Sequence, residues 1–274
     1  MTEHRVMSPG DDDYPAGLLD LEDPPPLFVL GETTTAPAVA IVGTRRSTRY
    51  GMTLAEAFGR ALAGAGWTTV SGLARGIDAA AHRGTLGGDG EAVAVLGSGI
   101  DVIYPAEHRE IYQRILDGHG AVMSEYPPGT PPDRWRFPAR NRLIAAIASA
   151  VVVVEAGQQG GALITARLAA ELGRPVFAVP GDVDRAASMG CNLLIRDGAY
   201  PALGVEDLIA ELELVLGKPP RQPARAKGEI PATGVAIDDL PVVWGCTPAQ
   251  ALARLARMEI AGEIRRSGDV VIPI

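Results

Sequence analysis

AVVVVEAGQQGGALITARLAA, residues 150–170, runs from a strand through a glycine turn into a helix. Val151–Val154 are four β-branched residues in a row, which suits a strand covered on both faces. Gly157, Gly160 and Gly161 permit a tight turn and the close approach of another molecule. Residues 162–172 then predict a helix, with Ile164, Leu168 and Leu172 on one face, Leu163 supporting them and Gly173 as the stop. The first amides of such a helix have no partner within it, so they form an anion site. The same pattern also serves as a plain βα connection in a parallel sheet. Three similar strand–glycine turns elsewhere in the chain shift the balance toward a ligand.

On either side the chain alternates. Strands are predicted at 39–42, 68–71, 92–96, 121–123 and 175–179, with a further short one at 27–30. Helices are predicted at 51–65, with Leu54, Phe58 and Leu62 in line, at 77–86, and from Pro105 to about Gly118. This order predicts an α/β fold: an extended Rossmann-like, mostly parallel sheet with helices on both faces. Residues 127–138, PPGTPPDRWRFP, hold five prolines and are expected to form a long loop.

The acidic, proline-rich residues 1–26 are expected to be a partly mobile lead-in to a Rossmann-like domain over 27–216. A proline-rich basic linker follows at 217–231. Residues 232–274 differ in kind. Thr247-Pro248-Ala249-Gln250 reads as a capping box opening a helix with Leu252, Leu255 and Met258 on its apolar face. Two short strands around Ser267-Gly268-Asp269 complete the second half of a winged helix.

The chain has 274 residues, 47% of them hydrophobic, enough for one large core and a small module. Its net charge of −8 argues against non-specific polyanion binding by the whole surface and leaves a local basic cleft open. Cys191 and Cys246 have no metal-ligand spacing, so no metal site is expected. No signal peptide or membrane span is evident, and a cytoplasmic location is expected.

In an open parallel sheet, ligands sit beyond the carboxyl ends of the strands. The segments there are Gly43-Thr44-Arg45-Arg46-Ser47, Ser71-Gly72-Leu73-Ala74-Arg75-Gly76, Gly97-Ser98-Gly99, Gln158-Gln159-Gly160-Gly161 and Pro180-Gly181. Bare amides and guanidinium groups suit phosphate oxygens. Val102 occupies the place of the third glycine of a dinucleotide fingerprint, and there is no P-loop, so neither cofactor is expected. Four arginines and two aromatics fall within Arg134–Arg142, RWRFPARNR. Arginine forks bind phosphates and aromatic rings stack on unpaired bases, although Trp135 and Phe137 could equally pack inward. Arg140-Asn141-Arg142 is expected to begin a helix, and a basic cleft is expected from Arg45, Arg75, Arg140 and Arg142. Asp78 and His82 lie four apart on a predicted helix, a pairing that is more often structural than catalytic. Nothing fixes Glu125 and Glu155 as an acid–base couple.

VGTRRSTRYG (42–51), SGLARGIDAAAH (71–82), AVLGSGIDVIYP (94–105), SEYPPGTPP (124–132), FPARNRLIA (137–145), VVVVEAGQQGGALITARLA (151–169), GRPVFAVPG (173–181) and GCNLLIRDGA (190–199) together resemble the bacterial DNA-processing protein A family (DprA, also called Smf). With the lead-in from Tyr14, the likeness covers roughly 14–216. It implies a non-enzymatic homodimer that binds single-stranded DNA, protects incoming strands and helps to load the RecA recombinase in natural transformation. The family's DNA-contacting arginine falls on Arg45, and its basic FPxRNR residues fall on Arg140 and Arg142. Many members begin with an extra helical domain, which this chain is expected to lack. The C-terminal winged helix of the family is matched by a short version with few basic residues.

Two other classes compete. Rossmann-like phosphoribohydrolases share a PGGxGTxxE turn, but Leu168 stands where their glutamate would be, which disfavours a nucleotide hydrolase. A small-ligand sensor with a duplex-reading winged helix would need a more basic helix than one carrying Arg254 and Arg257 against Glu259.

Overall fold

A computed structural model of the chain describes residues 4–32, 36–117, 120–219, 234–244 and 248–273. Thr247 of the expected capping box, Cys246 and residues 220–231 of the expected linker lie outside the described residues. Contacts divide the chain into two units between Pro219 and Pro220.

In the first unit the elements run β1 (Arg5–Met7), β2 (Leu27–Gly31), β3 (Ala38–Val42), α1 (Arg49–Ala65), β4 (Thr68–Ser71), α2 (Ile77–Gly87), β5 (Ala92–Val95), α3 (Arg109–Leu116), β6 (Gly120–Ser124), α4 (Arg136–Ile147), β7 (Ala150–Val153), α5 (Gly161–Glu171), β8 (Val176–Ala178), α6 (Met189–Arg196), β9 (Tyr200–Pro201) and α7 (Val205–Leu216). The nine strands form one sheet in the order β1-β2-β6-β5-β4-β3-β7-β8-β9. β1, β2 and β6 pair antiparallel, and every other neighbouring pair is parallel. From β3 the chain winds outward through β4 and β5 to β6, then returns to lay β7 on the other side of β3. The connections after β3 and β7 therefore diverge at a topological switch point, where an open sheet leaves a crevice.

The run of valines is buried on both faces because the strand period is two. Val151 and Val153 pack into a layer with Leu143 and Ile144 of α4, Leu163 and Ala166 of α5 and Cys191 of α6. Ala150, Val152 and Val154 pack against Phe58 and Leu62 of α1, Ile77 of α2 and Leu208 and Leu212 of α7. A third cluster joins β5 and β6 to α2 and α3 through Leu86, Ile111 and Ile115.

Three local features depart from the expectations. The 127–138 stretch is not loop to its end, because α4 starts at Arg136 and takes in Pro138. A proline in the first helical turn lacks only an N–H that would have no partner there. Arg140-Asn141-Arg142 consequently lies one turn inside α4 rather than at its start. Pro105 leads into a 3-10 turn, Ala106–His108, before α3. In the lead-in, Met7 and Leu18 are fully buried in the core.

The second unit contains β10 (Val235–Ala236), α8 (Leu240–Val243), α9 (Pro248–Ile260), β11 (Ile264–Ser267) and β12 (Val270–Pro273). Its strands pair antiparallel in the order β10-β12-β11, and Ser267 pairs with Val270 around Gly268 at φ +65°. Leu240, Trp244, Ala251, Leu255, Ile264 and Val271 form its core.

Candidate nucleic-acid interface

The crevice at the switch point is a cleft of about 850 Å³. One wall is the segment after β3. Gly43 is required because a Cβ would overlap the Ile77 side chain. Thr44 donates its N–H to Glu155 O at 2.8 Å, which ties the β3 and β7 connections together, and its hydroxyl accepts from the Arg46 N–H at 3.2 Å. Glu155 is a structural carboxylate. It accepts from the Thr48 N–H (2.8 Å) and hydroxyl (2.5 Å), while Thr48 caps α1 by accepting from the Gly51 N–H.

Arg45 is exposed and lies 4.7 Å from the centroid of the Phe137 ring. Tyr104 stacks on the same ring at 5.4 Å. Gly97 makes room for that ring, since a Cβ there would sit 2.9 Å from Phe137.

The segment after β4 is braced from beneath. Asp78, buried at the start of α2, accepts from the Gly72 (3.1 Å) and Ala74 (3.3 Å) amides. Burial raises its carboxyl pKa, and the Arg140 charge and the two amides oppose that rise. Arg140 is 3% exposed and donates to Gly72 O at 2.9 Å and to Val95 O. Burial lowers its pKa to about 10, against the pull of Asp78, so it remains a cation at neutral pH. A Cβ on Gly72 would overlap the Arg140 guanidinium. Leu73 is buried with φ +54°, a left-handed conformation held by its surroundings, and its carbonyl lies 2.8 Å from His108 Nδ1. His82 makes no hydrogen bond through either ring nitrogen among the described residues, so the pairing with Asp78 that their spacing allows does not form.

The other wall is the start of α5. Gly160 precedes it with no side-chain cap, and the first-turn residues Gly161, Ala162 and Leu163 line the cleft. Asn141 Nδ2 donates to Gly161 O at 3.1 Å and fixes this helix start against α4.

The basic cleft differs in membership from the one expected. Arg45 and Arg140 line it, but Arg140 is spent on backbone carbonyls. Arg75 and Arg142 do not line it. Arg75 grips Glu107 through two bonds of 2.7 and 2.9 Å, and Arg142 bonds Glu125 at 2.6 Å. A guanidinium beside a well-placed carboxylate is held by a charge-assisted bond. Arg46, Arg134 and Arg167 line the cleft instead, with no side-chain ion pair among the described residues. Asp78 is the one carboxylate among the described residues lining it. Arg167 follows Gly160 by two helical turns, and that spacing was the available signal for it. Leu168 packs against the core at the position where a phosphoribohydrolase would carry its acid. Among the described residues, no group of His, Cys, Asp or Glu is placed to hold a metal ion, and no helix is long and apolar enough to cross a membrane.

The family model of DNA recombination-mediator protein A matches residues 5–213. Protein Smf of Synechocystis is 44% identical over 215 residues, covering 76% of this chain and 54% of its own length, so this chain spans about half of that relative. The X-ray structure of DNA processing protein A from Streptococcus pneumoniae superposes with a TM-score of 0.71 at 39% identity, over 76% of this chain and 74% of that one. The structure describing the single-stranded DNA binding mode of DNA processing protein A from Helicobacter pylori gives 0.70 at 30% identity, over 78% and 97%. With three quarters of its length matched by the family model and its fold shared with two solved members, the chain belongs to the DNA recombination-mediator protein A family.

Proposed function

We propose that the protein binds single-stranded DNA in the switch-point cleft and acts in the cytoplasm as a recombination mediator, shielding strands and helping to load the RecA recombinase. The observation that carries this is the pairing of the uncapped α5 start with Arg45, Arg46, Arg134 and Arg167 in a cleft whose one lining carboxylate among the described residues, Asp78, is buried. Amides and arginine forks both suit phosphate oxygens, and neither reads sequence when aimed at the backbone. No bond is made or broken. A homodimer would put two clefts on one strand and add avidity. The second unit is read as a winged helix, with α9 followed by the β11–β12 hairpin. The proposed DNA-contacting set is Gly43, Thr44, Arg45, Asn141, Gly160 and Gly161, extended by Arg46, Arg134 and Arg167, while Gly72, also expected there, has its amide and carbonyl engaged by Asp78 and Arg140. Arg140 lines the same cleft while bracing the segment after β4, and Arg75 and Arg142 are engaged by Glu107 and Glu125.

The test is fluorescence anisotropy with a labelled single strand of ~35 bases and its duplex over a salt series. Tight single-strand binding that weakens steeply with salt is expected, because each neutralised phosphate releases counterions. Arg45→Ala should weaken binding and flatten the salt slope by one phosphate's share, about 0.7. No binding of the single strand at low salt would sink the proposal.

A further inference from the structure

Trp135 has a position that phosphate binding does not explain. It is 58% exposed, although an indole is among the side chains that gain most from burial. It is also held in place. The Tyr126 ring meets it edge-on at 6.1 Å, and the Arg136 guanidinium lies 5.1 Å from its centroid and 5.2 Å from that of Tyr126. Arg136 is itself anchored to Pro131 O. Trp135 stands at the N-cap of α4 with no side-chain capping bond, so helix formation does not require an indole there. Its neighbours Arg134 and Phe137 line the cleft, and Trp135 does not.

We propose that Trp135, braced by Tyr126 and Arg136, is a base-stacking platform on the rim of the cleft, which takes an unpaired nucleobase of the strand whose phosphates the cleft holds. The inference rests on the single-strand reading of that cleft. Three observations select a nucleobase as the occupant. The platform is continuous with the arginine-lined cleft through Arg134. The charges immediately around it are Arg134 and Arg136 against Asp133, with the Glu125 carboxylate already engaged by Arg142. A rigid, flat, exposed ring beside a cationic track suits the π-face of any base without reading its identity. The platform would be closed to duplex, whose bases are already stacked on one another. It would therefore add selectivity for single strands to a cleft that otherwise grips only phosphates.

The chain carries its own reporter. It has three tryptophans, and Trp67 and Trp244 are each 2% exposed, so Trp135 is the solvent-facing one. Titration of the full-length protein with an unlabelled thymidine oligonucleotide should quench the Trp135 emission, and Trp135→Phe should abolish the quench. In the anisotropy assay, Trp135→Leu should weaken single-strand binding by roughly tenfold with the salt slope unchanged, and Trp135→Phe should retain most of the affinity. Wild-type binding to the single strand with no quench, together with unchanged affinity in Trp135→Leu, would overturn the platform and leave the cleft reading standing. A Trp135→Leu variant that binds as weakly as Arg45→Ala, with the same loss of salt slope, would also overturn it, since that is the signature of a phosphate contact. Absence of any wild-type single-strand binding would remove both proposals at once, and the anisotropy titration alone reads that outcome.

Discussion

Arg140 and Arg45 are the same residue type within one site and do opposite work. Arg140 has lost nearly all contact with water and holds together the segment after β4, the end of β5 and α4. Removing it would leave the buried Gly72 and Val95 carbonyls without their donor and take a neighbouring positive charge from the buried Asp78 carboxylate, and each buried polar group left unsatisfied costs about 1–3 kcal/mol. Arg140→Ala is therefore expected to lose several kcal/mol in urea denaturation, and Arg45→Ala to lose almost nothing. Equal stability of the two variants would refute the brace. Cys191 yields a second expectation. Its thiol is buried against Val153 O at 3.6 Å, and burial pushes its pKa up to about 12. In a Cys246→Ser background it should resist a disulfide reagent until the protein unfolds, because the thiolate is the reactive species. Rapid labelling of the native protein would contradict the burial. At this scale the sequence located the arginines but not their partners. Glu107 and Glu125 reach Arg75 and Arg142 from 32 and 17 residues away, and no local pattern announces such pairings.

At the scale of elements, α1 and α2 pack at unusually short range. Gly59 faces the Ala81 carbonyl and Gly84 the Glu56 carbonyl, and a Cβ at either position would overlap the opposite backbone. Thr85 bridges the contact to β4 through Thr69 Oγ1 at 2.7 Å. His82 is enclosed in this packing with no exposed surface. Desolvation, followed by the charges of His108, Arg140 and Arg83, lowers its pKa from 6.5 to about 3. The unfolded chain then binds a proton that the folded chain refuses. Stability is accordingly full above pH 6.5 and falls as the pH drops from 6.5 toward 3, by up to about 1.4 kcal/mol per pH unit from this group. Urea midpoints between pH 7 and pH 4 should show a flatter slope in His82→Asn than in the wild type, whatever the variant's absolute stability. Parallel slopes would mean that His82 titrates normally. The central strands and the helices α1 and α2 were legible because strands buried on both faces and helices with an apolar stripe carry a local signal. β1 and β9 were not, since strands of three and two residues are too short to show a period. The start of α4 was hidden by prolines that are tolerated in a first turn.

At the scale of the whole molecule, a chain of net charge −8 keeps its unpaired cleft cations on one edge of one unit. The acidic remainder disfavours indiscriminate DNA coating, so salt dependence should report the few phosphates in the cleft rather than the overall charge. The two units differ in how much they can bury. The first has three core clusters on its nine-stranded sheet, while the second has one cluster that includes Leu240, Trp244, Leu255 and Val271. A domain of about 60 residues hides only about 60% of its unfolded surface and is correspondingly marginal. Each unit has its own buried tryptophan, Trp67 in the first and Trp244 in the second. With Trp135→Phe as background, a further Trp67→Phe or Trp244→Phe substitution leaves one reporter per protein. The Trp244 signal is expected to change at lower urea and with a smaller m-value than the Trp67 signal, because m scales with the surface exposed on unfolding. Coincident transitions with equal m-values would show the units unfolding as one cooperative body. The ordering has a consequence for the binding assay. Urea just sufficient to unfold the second unit should leave single-strand binding with its salt slope intact if the cleft alone grips phosphates, and should flatten the slope if the second unit contributes contacts of its own.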